Sequence, residues 1–210
     1  MFALVESGSI TSYHKGNRGI QIGDIKHSPD IFTSKWTESE RNAIGIYTIE
    51  IDNTNYKDIN FYTNTDITYA FGSGKVTGSY GTATARAHAD TTWTQEQIDD
   101  GKAPAGADTD TVAVKGLKSK LITEIKEQAE TELNKTDWYV TRKTEKSTAI
   151  PSAITTHRDA VRSKQASMIT AITNASDTAA LKTLYTYVNT ADEGDAIVMA
   201  RPLGVLPTID

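Results

Sequence analysis

The feature that most constrains this chain is a change of hydrophobic period part-way along it. In the first half apolar residues alternate with polar or half-exposed ones in short runs. Ile46, Thr48 and Glu50, for example, interleave with Tyr47, Ile49 and Ile51, which is strand spacing. Beyond Val114 the spacing becomes helical, with Leu117, Leu121, Ile125, Ala129 and Leu133 recurring every four residues. Between the two lies 99–111, DDGKAPAGADTDT, whose two Gly, one Pro and four Asp leave almost nothing to bury. That composition reads as a linker. The expected fold is therefore α+β. A small antiparallel β-rich domain spans 1–98, the linker 99–111, a helical hairpin or bundle 112–190, and an extended C-terminal arm 191–210.

Within the first region, Phe2, Leu4 and Ile10 mark a hairpin turning at Ser7-Gly8-Ser9, and 19–23, GIQIG, reads as a strand. Thr37-Glu38-Ser39-Glu40 is a capping box, in which Thr37 accepts from the Glu40 amide while Glu40 reaches back. Gly45 closes that short helix, and Trp36 and Ile44 are expected to pin it to the sheet. After a turn at 53–55, strands are expected over 56–63, 67–71, 75–80 and 82–89. The last of these is read as a strand, although 83–89 would also fit a helix.

In the second region, Thr136 or Asp137 is expected to cap a second helix carrying Trp138 and Arg142. After a break at 147–150, Pro151 opens a third helix. Its stripe is Ile154, Val161, Met168 and Ala175, widened by Ile169 and Ile172, with polar Gln165 beside it. Asp177 offers a new cap, and Leu181, Leu184, Tyr185 and Val188 give a fourth, short helix. The segment 195–210, DAIVMARPLGVLPTID, is apolar but broken by Pro202 and Pro207, so it reads as extended.

Composition narrows the function classes. The absence of cysteine excludes a disulfide scaffold, a thiolate zinc site and a cysteine nucleophile. Of the net charge of −5, residues 1–110 contribute 9 basic and 15 acidic side chains, and 111–210 contribute 13 and 12. An acidic front half repels phosphate, which argues against a nucleic-acid partner. The opening MFALVESGSI lacks a basic n-region and a long apolar run, so no signal peptide is expected, and no apolar run is long enough to span a membrane. Apolar residues at 38% predict a thin core and apolar surface that a partner completes.

Searches for chemistry end in the same place. The stretch FGSGKVTGSYG lacks phosphate-loop spacing and reads as a hairpin relieved by glycine. His14, His27, His88 and His157 are scattered without a ligand pattern, and no serine sits in a nucleophile elbow. No catalytic residue, metal ligand or cofactor is expected, and the chain reads as a non-enzyme. Arg142, Lys143, Lys146, Arg158, Arg162 and Lys164 form a basic cluster, read either as solvated helix faces or as a surface for an acidic partner. Trp138 and Tyr139 suit either a core or an interface, and a core Trp138 would lose about 3–5 kcal/mol on truncation to alanine. Arg158 and Arg162 are expected to face outward. The candidate partner contacts are Trp138, Tyr139, Arg158, Arg162, Val198, Leu203 and Leu206.

The stretch 136–162, TDWYVTRKTEKSTAIPSAITTHRDAVR, resembles a module of tailed-bacteriophage tail proteins of the tail fibre assembly or tail assembly chaperone-like family. The matching positions are Asp137, Trp138, Pro151, Arg158 and Arg162, while His157 stands where the family has Tyr. The phrase IGDIKHSPDIFTSKWTESERNAIGIY, 22–47, is similar to the β-rich start of such proteins. The resemblance implies a phage-tail context, and the apolar, proline-broken arm at 195–210 and the thin core favour a virion structural protein of the tail, fibre- or baseplate-associated. Its partners would be other tail proteins in an oligomeric assembly, and it would be made in the host cytoplasm and carried in the virion. Two alternatives stay open: an assembly chaperone absent from the mature virion, and a glycan-binding receptor module on the sheet.

Overall fold

The computed structural model describes residues 1–209; Asp210, the last residue of the expected arm, lies outside the described residues. The chain divides into two compact units, Met1–Thr84 and Ala85–Asp210, and combines an N-terminal strand-rich sheet with C-terminal helices. The expected α+β class is what forms. The boundary falls earlier than the composition of 99–111 indicated.

In the first unit, β1 (Phe2–Glu6) and β2 (Ser9–His14) form the expected hairpin, and β3 (Ile20–Ile22) pairs with β4 (Ile25–His27). Helix α1 (Glu38–Ala43) is set by its capping box. Thr37 Oγ1 accepts from the Glu40 amide at 3.2 Å, and Glu40 Oε2 accepts from the Thr37 amide at 2.7 Å. The helix ends at Gly45, whose φ of +82° favours glycine. A side chain there would also sit 2.6 Å from the Val5 carbonyl. Strand β5 (Ile46–Asp52) follows immediately.

The main sheet has five strands in the order β2-β1-β5-β8-β7, where β7 is Ile67–Gly72 and β8 is Lys75–Tyr80. Its pairs are antiparallel except β5–β8, which run parallel with Ile49 opposite Val76. The expected purely antiparallel sheet is thus mixed. Alternation assigns side chains to faces and says nothing about which strand is the neighbour. The Tyr13 and Tyr69 rings, on edge strands β2 and β7, stand 5.1 Å apart, so the sheet curls into a half-barrel. Ala3, Val5, Ile49 and Val76 fill its inside, joined by Ile10, Tyr47, Tyr69 and Phe71. On the opposite face Leu4, Ile20, Ile31 and Ile46 form a second core, against which Trp36 and Ile44 pack as expected. Burying each large aliphatic side chain is worth about 1.5–3 kcal/mol, so both faces stabilise the sheet.

Two expected strands shrink. Of 56–63 only Tyr62–Thr63 (β6) is extended. Asp58 turns the chain first, its carboxylate accepting from the Asn60 amide and its carbonyl from Tyr62. The Asn64 side chain binds both the amide and the carbonyl of Lys57. Of 82–89 only Thr84–Ala85 (β9) is strand, and no helix forms there. The glycine-rich stretch is the β7–β8 hairpin, turning at Ser73-Gly74 with φ of 52° and 73°.

In the second unit, β10 (Thr91–Thr92) and β11 (Val112–Val114) pair, and α2 (Gln95–Asp99) lies in the connection between them. The expected linker is therefore the loop of a hairpin, closed by the Trp93 amide on the Thr111 carbonyl and by an Asp108–Thr111 turn. Helix α3 (Leu117–Asn134) buries Leu117, Ile125 and Ala129 against α5 (Ser152–Asn174), which buries Ile154, Val161, Met168 and Ile172. The two run antiparallel: Lys118 at the start of α3 donates to the Thr173 carbonyl, and Arg158 near the start of α5 donates to the Leu133 carbonyl. Between them α4 (Asp137–Lys146) ends at Ser147 with φ 55°. Helix α6 (Thr178–Tyr185) has its expected Asp177 cap.

Residues 87–90 complete the start of α3. The Leu117 and Lys118 amides donate to the Ala87 and His88 carbonyls, and Asp90 accepts from the Gly116 amide and the Ser119 hydroxyl. These bonds hold the Asp90 carboxyl below the usual carboxylate range, the Ser119 bond most strongly. A Cβ on Gly116 would lie 2.2 Å from the Ala89 carbonyl oxygen, so only glycine fits.

The expected C-terminal arm is also more structured. Val188, expected in the last helix, lies in β12 (Val188–Asn189), which pairs with β13 (Met199–Ala200). The chain then turns back, Leu203 donating its amide to the Leu184 carbonyl at 3.0 Å while its side chain is 2% exposed.

Candidate interaction surface

Arg158 is the main correction to the expected contacts. It does not face outward: its side chain is 12% exposed. Its Nη1 donates to the Leu133 carbonyl at 2.8 Å, Thr136 Oγ1 at 2.7 Å and Asp137 Oδ1 at 2.7 Å. The guanidinium thereby binds the end of α3, the buried threonine between helices and the first residue of α4 to α5. Asp137 is accordingly a partner of Arg158, and Thr136, the residue at the N-cap of α4, makes no side-chain capping bond. Arg158 falls four residues after Ile154 and three before Val161, on the buried stripe itself, and that spacing was a readable signal.

With Arg158 fixing its base, α4 turns Trp138 outward, 51% exposed. Tyr139 is half-buried beside it, the ring centroids 3.8 Å apart. Arg142, one turn on, places its guanidinium carbon 4.8 Å from the Trp138 ring centroid and 5.5 Å from that of Tyr139. Lys143 and Lys146 continue the basic side to the helix end, interrupted by Glu145, and Val140 adds exposed apolar area. Beside the aromatic pair opens a cleft of about 470 Å³ lined by Lys135, Thr136, Trp138, Tyr139, Ile154 and Ile209. Trp138 and Tyr139 thus lie at a surface, and of the two readings left open for Trp138 its exposure excludes the core. Arg162 is half exposed and held at 3.3 Å by Asp159 on its own helix, outside this cluster.

The C-terminal candidates separate. Val198 lies on the β12–β13 hairpin with Tyr187, Val188, Ile197 and Met199, all exposed, Ile197 to 76%. The loop between the strands is ordered by Asn189, whose side-chain carbonyl accepts from the Ala191 and Val198 amides. That loop carries Asp192, Glu193 and Asp195 and no basic residue. Leu203 is buried in the unit and cannot meet a partner, a second correction. Leu206 is half-buried in a shallow groove with Val205, Arg201 and Glu132. The exposed Tyr187, Val188, Ile197 and Met199 were not among the expected candidates, although an acidic turn, ADEGD, between YVNT and AIVMA has the form of a hairpin signal.

Compared with known proteins, the chain matches no family model, no characterised protein and no solved structure. Its surfaces must therefore be read on their own chemistry. Among the described residues no group of three or more His, Asp or Glu could hold a metal ion, and no helix is long and apolar enough to cross a membrane. Among the described residues Tyr185 is the one group moved far, its hydroxyl pushed up to about 12 by burial first and by Glu124 second. It lies on α6, beneath the Arg201 guanidinium, and supports packing there.

Proposed function

We propose that this chain is a structural attachment protein of a phage tail, fibre- or baseplate-associated, that binds neighbouring proteins through its second unit. The observation that carries the attachment role is the terminal hairpin. Five large apolar side chains stand exposed on and around a ladder of two residue pairs, far more than so small a hairpin needs for its own packing. The aromatic and basic face of α4 is a second surface with the chemistry of an interface centre, since Trp, Tyr and Arg concentrate there in protein complexes. The tail context rests on the resemblance of 136–162 and 22–47 to tail proteins. This role assigns no catalytic residue and no cofactor, and places the protein in the virion after synthesis in the host cytoplasm.

Mass spectrometry of purified particles tests it. A structural role predicts the chain in mature virions in fixed proportion to other tail proteins. Its absence from virions, with presence in infected cells, would make it an assembly chaperone.

A further inference from the structure

The two exposed surfaces of the second unit are complementary to each other. The hairpin presents Tyr187, Val188, Ile197, Val198 and Met199 beside a loop bearing three carboxylates. The α4 face presents Trp138 and Tyr139 with a cleft beside them, next to Arg142, Lys143 and Lys146. Each surface offers apolar area flanked by charge, and the charges are of opposite sign. Both are exposed in the same chain, so a single copy does not satisfy either one. We propose that the occupant of the α4 face is the terminal hairpin of a second copy of this chain, Ile197 and Val198 covering Trp138 and the acidic loop meeting Lys143 and Lys146.

This rests on the attachment role proposed above and names its partner. The contact joins two different patches, so a copy added through one of them alone leaves one hairpin and one α4 face free. Such contacts build rings or open stacks, or close as a two-fold dimer where both patches of each copy meet reciprocally. Charge complementarity across the joint sets register and speeds encounter, while the apolar strip holds the pair together.

Sedimentation velocity of the full chain over a range of concentrations tests this, with circular dichroism confirming that each variant is folded. The wild-type chain is expected to form dimers or larger species, and to lose them as salt is raised. Reversing the loop charges (D192K, E193K and D195K together) sets positive against positive and is expected to give monomer. Reversing the helix charges (K143E with K146E) sets negative against negative and does the same. An equimolar mixture of the two variants, each now matching the other, is expected to regain the oligomers. A second pair of substitutions, Ile197→Ser with Val198→Ser, removes the apolar strip without changing charge and is expected to give monomer as well.

A wild-type chain that stays monomeric up to its solubility limit would overturn the proposal. So would oligomers that survive both reversals, or a mixture that fails to restore them. Particles carrying the serine variant distinguish the two ideas. If the wild-type chain is monomeric but the serine variant is lost from particles, the second-copy contact is wrong and attachment by the hairpin stands. If the variant enters particles at wild-type level, attachment by the hairpin fails.

Discussion

The two units handle apolar surface in opposite ways. The first places a curled sheet between two cores, Ala3, Val5, Ile49 and Val76 on one side and Leu4, Ile20, Ile31 and Ile46 on the other. Its aromatic residues are largely used internally, Phe2 against Phe32 and Tyr47 against Phe71. The second buries one stripe between antiparallel helices and leaves Trp138 and the terminal hairpin exposed. A sheet with both faces covered can stand without a partner at those faces. A helical pair capped by a bare hairpin carries surface suited to one.

That contrast can be broken by substitution. The largest effects are expected in the cores of both units. Ile46→Ala in the sheet and Ile172→Ala in α5, each fully buried, should each cost about 2–5 kcal/mol in denaturant unfolding. A loss below about 1 kcal/mol at Ile172 would mean that the helical stripe is not a packed core. Next comes Arg158→Ala, which leaves the Thr136 hydroxyl and the Leu133 carbonyl without their charged donor. It should cost about 2–3 kcal/mol, with Arg158→Lys recovering part of that because charge alone lacks the guanidinium's geometry. An unchanged midpoint for Arg158→Ala would return that residue to the surface.

Smaller effects sharpen the comparison. Thr37→Ala removes the hydroxyl half of the capping box and should cost about 1 kcal/mol, read as a lower unfolding midpoint. Acid should act on both units. Glu40, Asp90 and Asp177 are held below their ordinary values, chiefly by the Thr37 amide, the Ser119 hydroxyl and the Ala180 amide respectively. Groups lowered on folding stabilise the native chain above their unfolded values, near pH 4, and lose that contribution as pH falls through the folded ones. Unfolding midpoints should therefore drop below about pH 4 and be nearly flat from pH 5 to 7 as far as these groups go. Asp90→Asn should flatten the acid limb. A small effect on stability, about 1 kcal/mol, is expected at Trp138→Ala, because half of the side chain is already in water and the rest packs on Tyr139 and Arg142.

Much of the first unit was legible because its signals are local. The Thr37–Glu40 box, Gly45, the Ser7–Ser9 turn and the alternation of β5, β7 and β8 each lie within a few residues. What failed there was partnership: nothing in the run IYTIEID says that β8 lies alongside it in parallel. In the second unit the helices were legible from their period, yet 99–111 reads as a linker until the pairing of Trp93 with Thr111 is known. The segment 87–90 continues an alternation that reads as a strand, and its role depends on where α3 begins. Arg158 was misread because charge was weighed above position on the stripe. At the candidate surface, Trp138 and Val198 are exposed as a contact requires and Tyr139 is half-buried, Leu203 is buried where a contact was expected, and the remaining hairpin residues were read as part of an extended arm.

The central claim is that the α4 face meets the terminal hairpin of another copy. A photo-crosslinking amino acid placed at Trp138, in a mixture of isotopically heavy and light chains, tests it most directly. The account predicts heavy-to-light crosslinked peptides joining that position to 187–199. Crosslinks only within one chain, or only to other segments of a second copy, would contradict it.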